Sequence, residues 1–169
     1  MTNTFNRNDG TFAQVAFSDL SGSATTAQIP TVSSFSAHKA ASDQTGVVSG
    51  TNTQVTFGTE LYDVGSNFAS SVWTPPAGKV AMVANLIMDG TIASGNACVI
   101  AITKNSTTGI FRRSVGTTIT NAAWASIAIE DVANGTDAYG VLVNVPSTGT
   151  STVRGAVSYT YFMGHWISP

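Results

Sequence analysis

The chain has 169 residues, of which only 9% are charged, and its formal net charge is −2. This length suits one domain of about 100–150 residues with an extension. The few basic residues form no stripe that could neutralise phosphates, which argues against nucleic acid as the main partner. The longest apolar run, Val80–Met88, is far shorter than the roughly 20 residues of a membrane-spanning helix, so the sequence predicts no membrane partner either.

The N-terminal region lacks the features of a secretory signal. Met1–Arg7 contains no basic stretch followed by an apolar segment, so we expect synthesis in the cytosol. Cys98 is the only cysteine, which excludes an intrachain disulfide. Its neighbours in Ala97–Thr103 indicate a buried small residue rather than a nucleophile.

The composition of the chain changes near Phe35. Residues Met1–Ser34 carry scattered apolar side chains in a background of Thr, Ser, Asn and Ala, without a sustained helical or strand period. Such a segment cannot bury a core alone, so we expect it to lie against neighbouring copies or a larger assembly. The sequence therefore predicts an N-terminal segment over residues 1–34 and a folded domain over residues 35–169.

From Phe35 onward, strand-like runs alternate with turn signals. The first half of the domain predicts strands at Phe35–Ala40, Gln54–Phe57, Tyr62–Phe68 and Ser70–Thr74. Pro75-Pro76-Ala77-Gly78 then forces a turn, because proline fixes φ and removes a backbone donor. In Lys79–Met88 both faces are largely apolar, which is typical of a strand that is covered on both sides.

The second half of the domain continues the pattern. Its predicted strands are Ala97–Lys104, Gly109–Gly116, Trp124–Asp131, Tyr139–Val145 and Thr152–Ile167. Asn134-Gly135 is a favoured hairpin dipeptide. The last run predicts one long strand that pairs in the middle of a sheet, with Val153 and Tyr161 on the same face. Eight to about ten strands without a convincing helix predict an all-β sandwich.

Several motifs occur in the order that is seen in complement-type globular heads. They are Phe35-Ser-Ala-His-Lys39, Gln54-Val-Thr-Phe57, Tyr62-Asp63 with Gly65 and Phe68, Trp73-Thr-Pro-Pro-Ala-Gly78, Ala101-Ile-Thr-Lys-Asn105 and a Tyr-rich last strand. Residues 35–169 therefore resemble the tumour-necrosis-factor superfamily, whose members are jelly rolls of about ten strands. Two motifs depart from that pattern. Ser70-Ser71-Val72-Trp73 replaces the usual Thr-Gly-x-Phe, and Asn134-Gly-Thr-Asp137 replaces the usual Gly-Asp.

This resemblance implies a homotrimer. Composition supports that expectation independently, since a sandwich with apolar residues on both faces of several strands has more hydrophobic surface than one internal layer can hide. Assembly about a three-fold axis closes the interface. The predicted interface side chains are aromatic, with packing inside one chain as the alternative for each: Tyr62, Phe68, Tyr139, Tyr159, Tyr161 and Phe162.

A second resemblance lies upstream of the domain. The stretch Phe17–Pro30 resembles the segments that precede the tip domains of bacteriophage tail fibres. The leading hypothesis is a bacteriophage virion protein, a homotrimeric short fibre or spike that joins other virion proteins through residues 1–34 and binds a host-surface glycan or protein with its head. The alternatives are a capsid decoration or head-fibre protein without a receptor role and a bacterial surface or spore-coat lectin-like module.

The loops of the head are the expected binding surface. Trp124 could stack on a sugar ring, with a cap on the sandwich as its alternative role. Arg112 and Arg113 could bind acidic saccharides, or they could protect an edge strand with their charge. Asn96 and Asn121 are further polar candidates in the loops. Three identical weak sites on one rigid head would raise avidity.

No residue pattern predicts catalysis or a cofactor. Glu130 and Asp131 are adjacent, so strand alternation sends them to opposite faces, whereas a glycosidase needs two carboxylates across one cleft. His38 and His165 lie in strands that could be neighbours, but no ligand spacing supports a metal site there. Scattered acidic residues are interpreted as solvated loop groups rather than as a calcium site: Asp63, Asp89, Glu130, Asp131 and Asp137.

Overall fold

The computed structural model describes residues 32–90, 97–106, 108–119, 122–146, 149–156 and 158–169. The strands within these ranges are β1 (Ser34–His38), β2 (Gln44–Val48), β3 (Thr53–Gln54), β4 (Thr59–Val64), β5 (Phe68–Ala69), β6 (Val72–Trp73), β7 (Gly78–Gly90), β8 (Cys98–Lys104), β9 (Ile110–Ile119), β10 (Ala122–Ala133), β11 (Tyr139–Asn144), β12 (Thr150–Val153) and β13 (Tyr161–Ser168). Over the same ranges, no helix has the length and hydropathy needed to cross a membrane.

The strands form two antiparallel sheets, which confirms the predicted all-β sandwich. The first sheet has the order β4-β1-β13-β7-β10, and β12 with β2 extends it along β7. The second sheet has the order β9-β8-β11-β6-β5, with β3 on β11. The two sheets also join at one corner, where β9 pairs with Ala122–Trp124 of β10.

Aromatic side chains from both sheets fill the core. Phe35 stacks on Phe68 with 4.6 Å between ring centroids, and it contacts Trp73 and Phe162 at 5.1 and 4.8 Å. Phe35, Trp73 and Phe162 are completely buried. Each such side chain contributes about 1.5–3 kcal/mol through burial, so this cluster is a main source of the stability of the sandwich.

The last strand, β13, lies in the middle of the first sheet, as the sequence predicts. It pairs with β1 on one edge and with β7 on the other. Its buried Phe162 lies opposite Ala37 and Ala84 in the two neighbouring strands. Pairing on both edges satisfies the backbone donors and acceptors of a strand whose inward side chains lie in the core.

The prediction of one continuous strand over Thr152–Ile167 is wrong. β12 and β13 both pair with the same edge of β7, but β12 ends at Val153, β13 begins at Tyr161, and an excursion separates the two strands. Thr160 donates a backbone hydrogen bond to Ala156, which closes this excursion. The excursion changes the alternation, so that Val153 points into the core while Tyr161 lies on the opposite face of the sheet. A shift by one residue moves every later side chain to the other face.

Two local predictions also need correction. Asn134-Gly135 does not form a hairpin, because β10 and β11 lie in different sheets and the loop crosses the sandwich. Ser70–Thr74 is not one strand, because Ser70 and Ser71 adopt φ values of +51° and +65° and turn the chain between β5 and β6.

Candidate functional site

The first sheet has an outer face, which is the face turned away from the core. On β7, Val80, Met82, Ala84, Leu86 and Met88 are buried, whereas the alternate residues are half-buried or exposed. The register aligns one residue from each of five strands across the middle of this face. This central rung consists of Tyr62, Ser36, Met163, Val83 and Ala128.

The central rung carries no charged side chain and lies between two more polar rungs. One flanking rung consists of Val64, Ser34, His165, Ala81 and Glu130. The other contains His38, Tyr161, Asn85 and Ser126. An apolar centre with a polar rim is the usual composition of a protein interface.

Large apolar side chains are exposed on the outer face. Tyr62 is 43% exposed, Val64 49% and Val132 64%. A shallow depression of about 290 Å³ lies beside the central rung, between β7 and β10, and Val83 and Ala128 line it. Removing such a surface from water stabilises an assembly by about 25 cal/mol per Å² of apolar area. The outer face therefore has the chemistry of a docking surface.

A second concave feature lies at the corner where β9 leaves the second sheet and joins β10. This corner groove has a volume of about 280 Å³. Trp124, which is 43% exposed, and Val115, which is 60% exposed, are its large apolar side chains. The remaining lining residues are Asn85, Ser114, Gly116, Ala125 and Ser126.

Gly116 allows the two strands at the corner to approach closely. A Cβ atom on this residue would lie 2.6 Å from the Cβ atom of Ala125 and would also collide with the carbonyl oxygen of Trp124. On the other side of the groove, the Asn85 amide donates a 2.6 Å hydrogen bond to the carbonyl oxygen of Tyr159. These two contacts fix the β9 and β7 walls of the groove.

A cluster of charged groups connects the sheets at the end of the sandwich opposite the corner groove along β10. Lys104 of β8 forms ion pairs of 2.8 Å with Asp131 and 3.1 Å with Asp137. The hydroxyl of Tyr139 donates a 2.7 Å hydrogen bond to Asp131. The Lys104 ammonium also lies 5.3 Å from the centroid of the Phe111 ring, within the range of a cation–π contact. We call these residues the ion cluster.

Interactions within the ion cluster favour the charged forms of Lys104, Asp131 and Asp137. Burial acts to raise the pKa of Asp131, but hydrogen bonds from Lys104 and Tyr139 outweigh it and hold that pKa below its usual value. The pKa of Asp137 is also lowered, because hydrogen bonds from Asn105, the Asn134 backbone and Lys104 outweigh the opposing effect of burial. The pKa of Lys104 is raised, chiefly by its hydrogen bond to Asp131. The two ionised carboxylates bind the Lys104 ammonium between them, so we interpret the ion cluster as a structural feature that joins the two sheets.

The predicted ligand-binding residues fall in different places. Trp124 lines the corner groove, whereas Arg112 and Arg113 are exposed on β9, where it pairs with β8. The guanidinium of Arg112 covers the Phe111 ring at 4.3 Å. Neither arginine lines the groove. Asn96 and Asn121 lie outside the described residues.

The aromatic residues predicted for a trimer interface divide into two groups. Phe68, Tyr139 and Phe162 are buried in the core of this chain, so they take the alternative role of intrachain packing. Tyr62 and Tyr161 lie on the outer face by their register. Tyr159 is 44% exposed in the excursion between β12 and β13. The strand register, rather than aromatic character, separates the two groups.

The residues considered for metal binding are dispersed. His38 lies opposite Tyr161 and His165 lies opposite Ser34, so the two histidines occupy different rungs of the β1–β13 pair. Among the residues that the structure describes, no three His, Cys, Asp or Glu side chains are grouped to hold a metal ion. Cys98 is buried, and burial raises the pKa of its thiol to about 11.

Sequence reasoning missed the ion cluster and most of the corner groove. Lys104 ends an otherwise apolar strand, which is a signal that its ammonium needs a partner. Asn85 interrupts the apolar run of β7, and it now lies in the groove. No local pattern in the sequence predicts that Ser114 of β9 and Asn85 of β7 line the same groove, because these strands come together only in the folded chain.

Comparison with solved structures establishes the fold of the sandwich. The globular domain of zebrafish complement 1qA protein matches with a TM-score of 0.53 and 15% identity, over 80% of this chain and 97% of that chain. Murine APRIL, crystallised at pH 8.5, matches with a TM-score of 0.54 and 8% identity, over 80% of this chain and 99% of that chain. No protein-family model and no curated protein matches the sequence. The chain therefore has the complement-type, tumour-necrosis-factor-like jelly-roll fold that its motifs predict.

Proposed function

We propose that this protein is a homotrimeric head of a bacteriophage virion, a short fibre or spike that binds a host-surface glycan or protein. The observation that carries the assembly is the outer face, where Tyr62, Met163 and Val83 form an uncharged rung between two more polar rungs. Further copies of the chain are the proposed occupants of this face, and three copies around an axis close a ring that leaves no open interface.

The virion context is supported by sequence. Phe17–Pro30 resembles the segments that precede fibre tip domains, and residues 1–34 are the proposed attachment to other virion proteins. A non-catalytic binding role suits the described part of the chain, since the charged groups of the ion cluster neutralise one another. Binding by three weak sites per head, with several heads per particle, raises avidity without strong single contacts.

Binding of the full-length protein to bacterial cells tests this proposal. We expect labelled wild-type protein to bind intact cells of a susceptible strain and to lose that binding when the surface polysaccharide is removed. Val83→Glu places a charge in the central rung without touching the core, so it should form monomers and bind cells far more weakly. Val48→Glu is the matched control, because Val48 is 53% exposed on β2, outside the five strands of the outer face.

The alternative outcome is equally specific. A wild-type trimer that binds no cell surface, and that incorporates into capsids during assembly, would support a capsid decoration protein instead. Binding to cells by a wild-type monomer would contradict the proposed assembly.

A further inference from the structure

We propose that the corner groove binds one or two rings of a neutral saccharide, with the Trp124 indole as the stacking surface. This inference rests on the proposed function, because it names the ligand class of the binding head and the residues that recognise it.

The size and place of the groove fit a small ligand. Its volume of about 280 Å³ is just below the roughly 300–1,000 Å³ of typical small-molecule sites. Trp124 lies two rungs from the central rung, and Asn85 and Ser126 of the groove lie in the flanking rung between them. The Trp124 end of the groove therefore stays at a corner when a second copy of the chain covers the central rung.

The exposed aromatic side chain is the first argument for a sugar. Trp124 lies opposite Ile87 on the outer face, and 43% of its surface is open to solvent. Val115, at 60% exposure, is the other large apolar side chain of the groove. The indole of Trp124 combines an apolar ring with a polar N–H group. It therefore suits a partner that has both an apolar and a polar surface, and a pyranose ring has both.

The polar groups around Trp124 supply the second argument. Asn85, Ser114 and Ser126 converge on the same cavity and offer amide and hydroxyl groups, which bind hydroxyls without demanding charge. In the described part of the chain, neither the Trp124 indole N–H nor the Ser126 hydroxyl has a protein hydrogen-bond partner. None of the described residues that line the cavity is charged, so the chemistry selects a neutral saccharide over an acidic one.

The groove is also preformed. The side-chain nitrogen of Asn85 already donates a 2.6 Å hydrogen bond to the Tyr159 carbonyl oxygen. The side-chain oxygen of Asn85 is therefore the atom that would accept a hydrogen bond from a sugar hydroxyl. Gly116 brings β9 against β10 at a distance that no larger residue allows. A binding surface that is rigid before the ligand arrives loses less entropy on binding.

Titration of the full-length protein with defined sugars tests the inference. The probes are maltotriose, chitotriose and mannotriose, with polygalacturonic acid as the charged comparison. We expect at least one neutral trisaccharide to shift the Trp124 indole N–H resonance, and Trp124→Ala to weaken its binding by at least about tenfold. Val48→Ala is the matched control, since it shortens another exposed apolar side chain, on β2 and outside the five strands of the outer face, and should leave binding unchanged.

Light scattering of Trp124→Ala separates binding from assembly. The inference requires that this variant keeps the mass of the wild-type protein, and a lower mass would place Trp124 in the interface and overturn the site. Binding of polygalacturonic acid alone, or no effect of any neutral trisaccharide on the Trp124 resonance, would also overturn it. If Trp124→Ala still binds cells through their polysaccharide, the groove fails as the site while the receptor role of the head stands. If the wild-type protein binds neither cells nor probes, both proposals fail.

Discussion

The hydroxyl of Tyr139 donates a 2.7 Å hydrogen bond to Asp131, and this bond joins β11 of the second sheet to β10 of the first sheet. The Tyr139 ring is fully buried against Trp73, with 6.5 Å between centroids. One side chain therefore takes part in the aromatic core and in the ion cluster.

Tyr139→Phe isolates the hydrogen bond from the ring packing. The substitution keeps the buried ring but leaves Asp131 with one donor fewer, so we expect the free energy of unfolding to fall by about 1.5–3 kcal/mol. Urea denaturation monitored by circular dichroism measures the change. Tyr159→Phe, at an exposed position between β12 and β13, is the control and should change the stability by less than about 0.5 kcal/mol.

The ion cluster predicts acid sensitivity. Asp131 and Asp137 have lowered pKa values in the folded chain, so their contribution to stability is complete above the unfolded pKa of about 3.9 and disappears as the pH falls through the folded pKa values. We expect the free energy of unfolding to be level between about pH 6 and 7 and to decline below about pH 5. Thermal melts across this range measure the decline.

Lys104→Met tests the origin of that sensitivity. It leaves the half-buried Asp131 carboxylate and the buried Asp137 carboxylate without their cation, which costs about 1–3 kcal/mol at neutral pH and lets burial raise the pKa of both groups. The loss of stability on acidification should then begin at a higher pH. Lys79→Met removes an exposed ammonium from β7 as a control. An unchanged acid profile in Lys104→Met would show that other groups control the response.

The turn between β5 and β6 stores backbone strain that can be measured. Ser70 and Ser71 both have positive φ, but only the Ser71 hydroxyl accepts a hydrogen bond, from the buried Phe57 N–H at 2.8 Å. Ser70→Gly should therefore raise the unfolding free energy by up to about 1 kcal/mol, because glycine adopts positive φ without a Cβ clash. Ser71→Gly relieves the same strain but removes the acceptor, so it should be destabilising. Equal effects of the two substitutions in urea titrations would refute this account.

Gly164 of β13 tests the packing of the aromatic core. A Cβ atom there would lie 2.7 Å from ring atoms of both Phe35 and Trp73. We expect Gly164→Ala to destabilise the protein by about 1–3 kcal/mol through overpacking. Gly58→Ala is the control because a Cβ atom at Gly58 meets no other atom within 4 Å. A differential scanning calorimetry experiment in which both variants melt alike would contradict the packing shown here.

Much of the fold follows from local patterns in the sequence, but the register does not. The run Lys79–Met88 predicts β7 correctly, because its alternation reflects which face packs on the core. The alternation after Val153 fails, because β12 ends there and β13 begins only at Tyr161, and no sequence pattern fixes how many residues the excursion takes. The motif order from Phe35 to Asn105 therefore predicts the fold family better than it predicts which face each residue occupies.

The candidate site was predictable only in part for the same reason. Its residue type and its place near a loop make Trp124 a ligand-binding candidate in the sequence. Its partners in the corner groove come from β7 and β9, and they meet only after the strands pair. Phe68, Tyr139 and Phe162 have the same aromatic character as Tyr62, and only the register separates core from surface. Residue chemistry alone therefore proposes candidates, and strand pairing selects among them.

We propose that the outer face is an interface between three copies of the chain, and the molar mass of the full-length protein in solution tests this proposal most directly. Light scattering coupled to size-exclusion chromatography should give three times the 17.4 kDa chain mass for the wild-type protein and for Val48→Glu, and a single chain mass for Val83→Glu. A wild-type protein that elutes with the mass of one chain at micromolar concentration would contradict the claim.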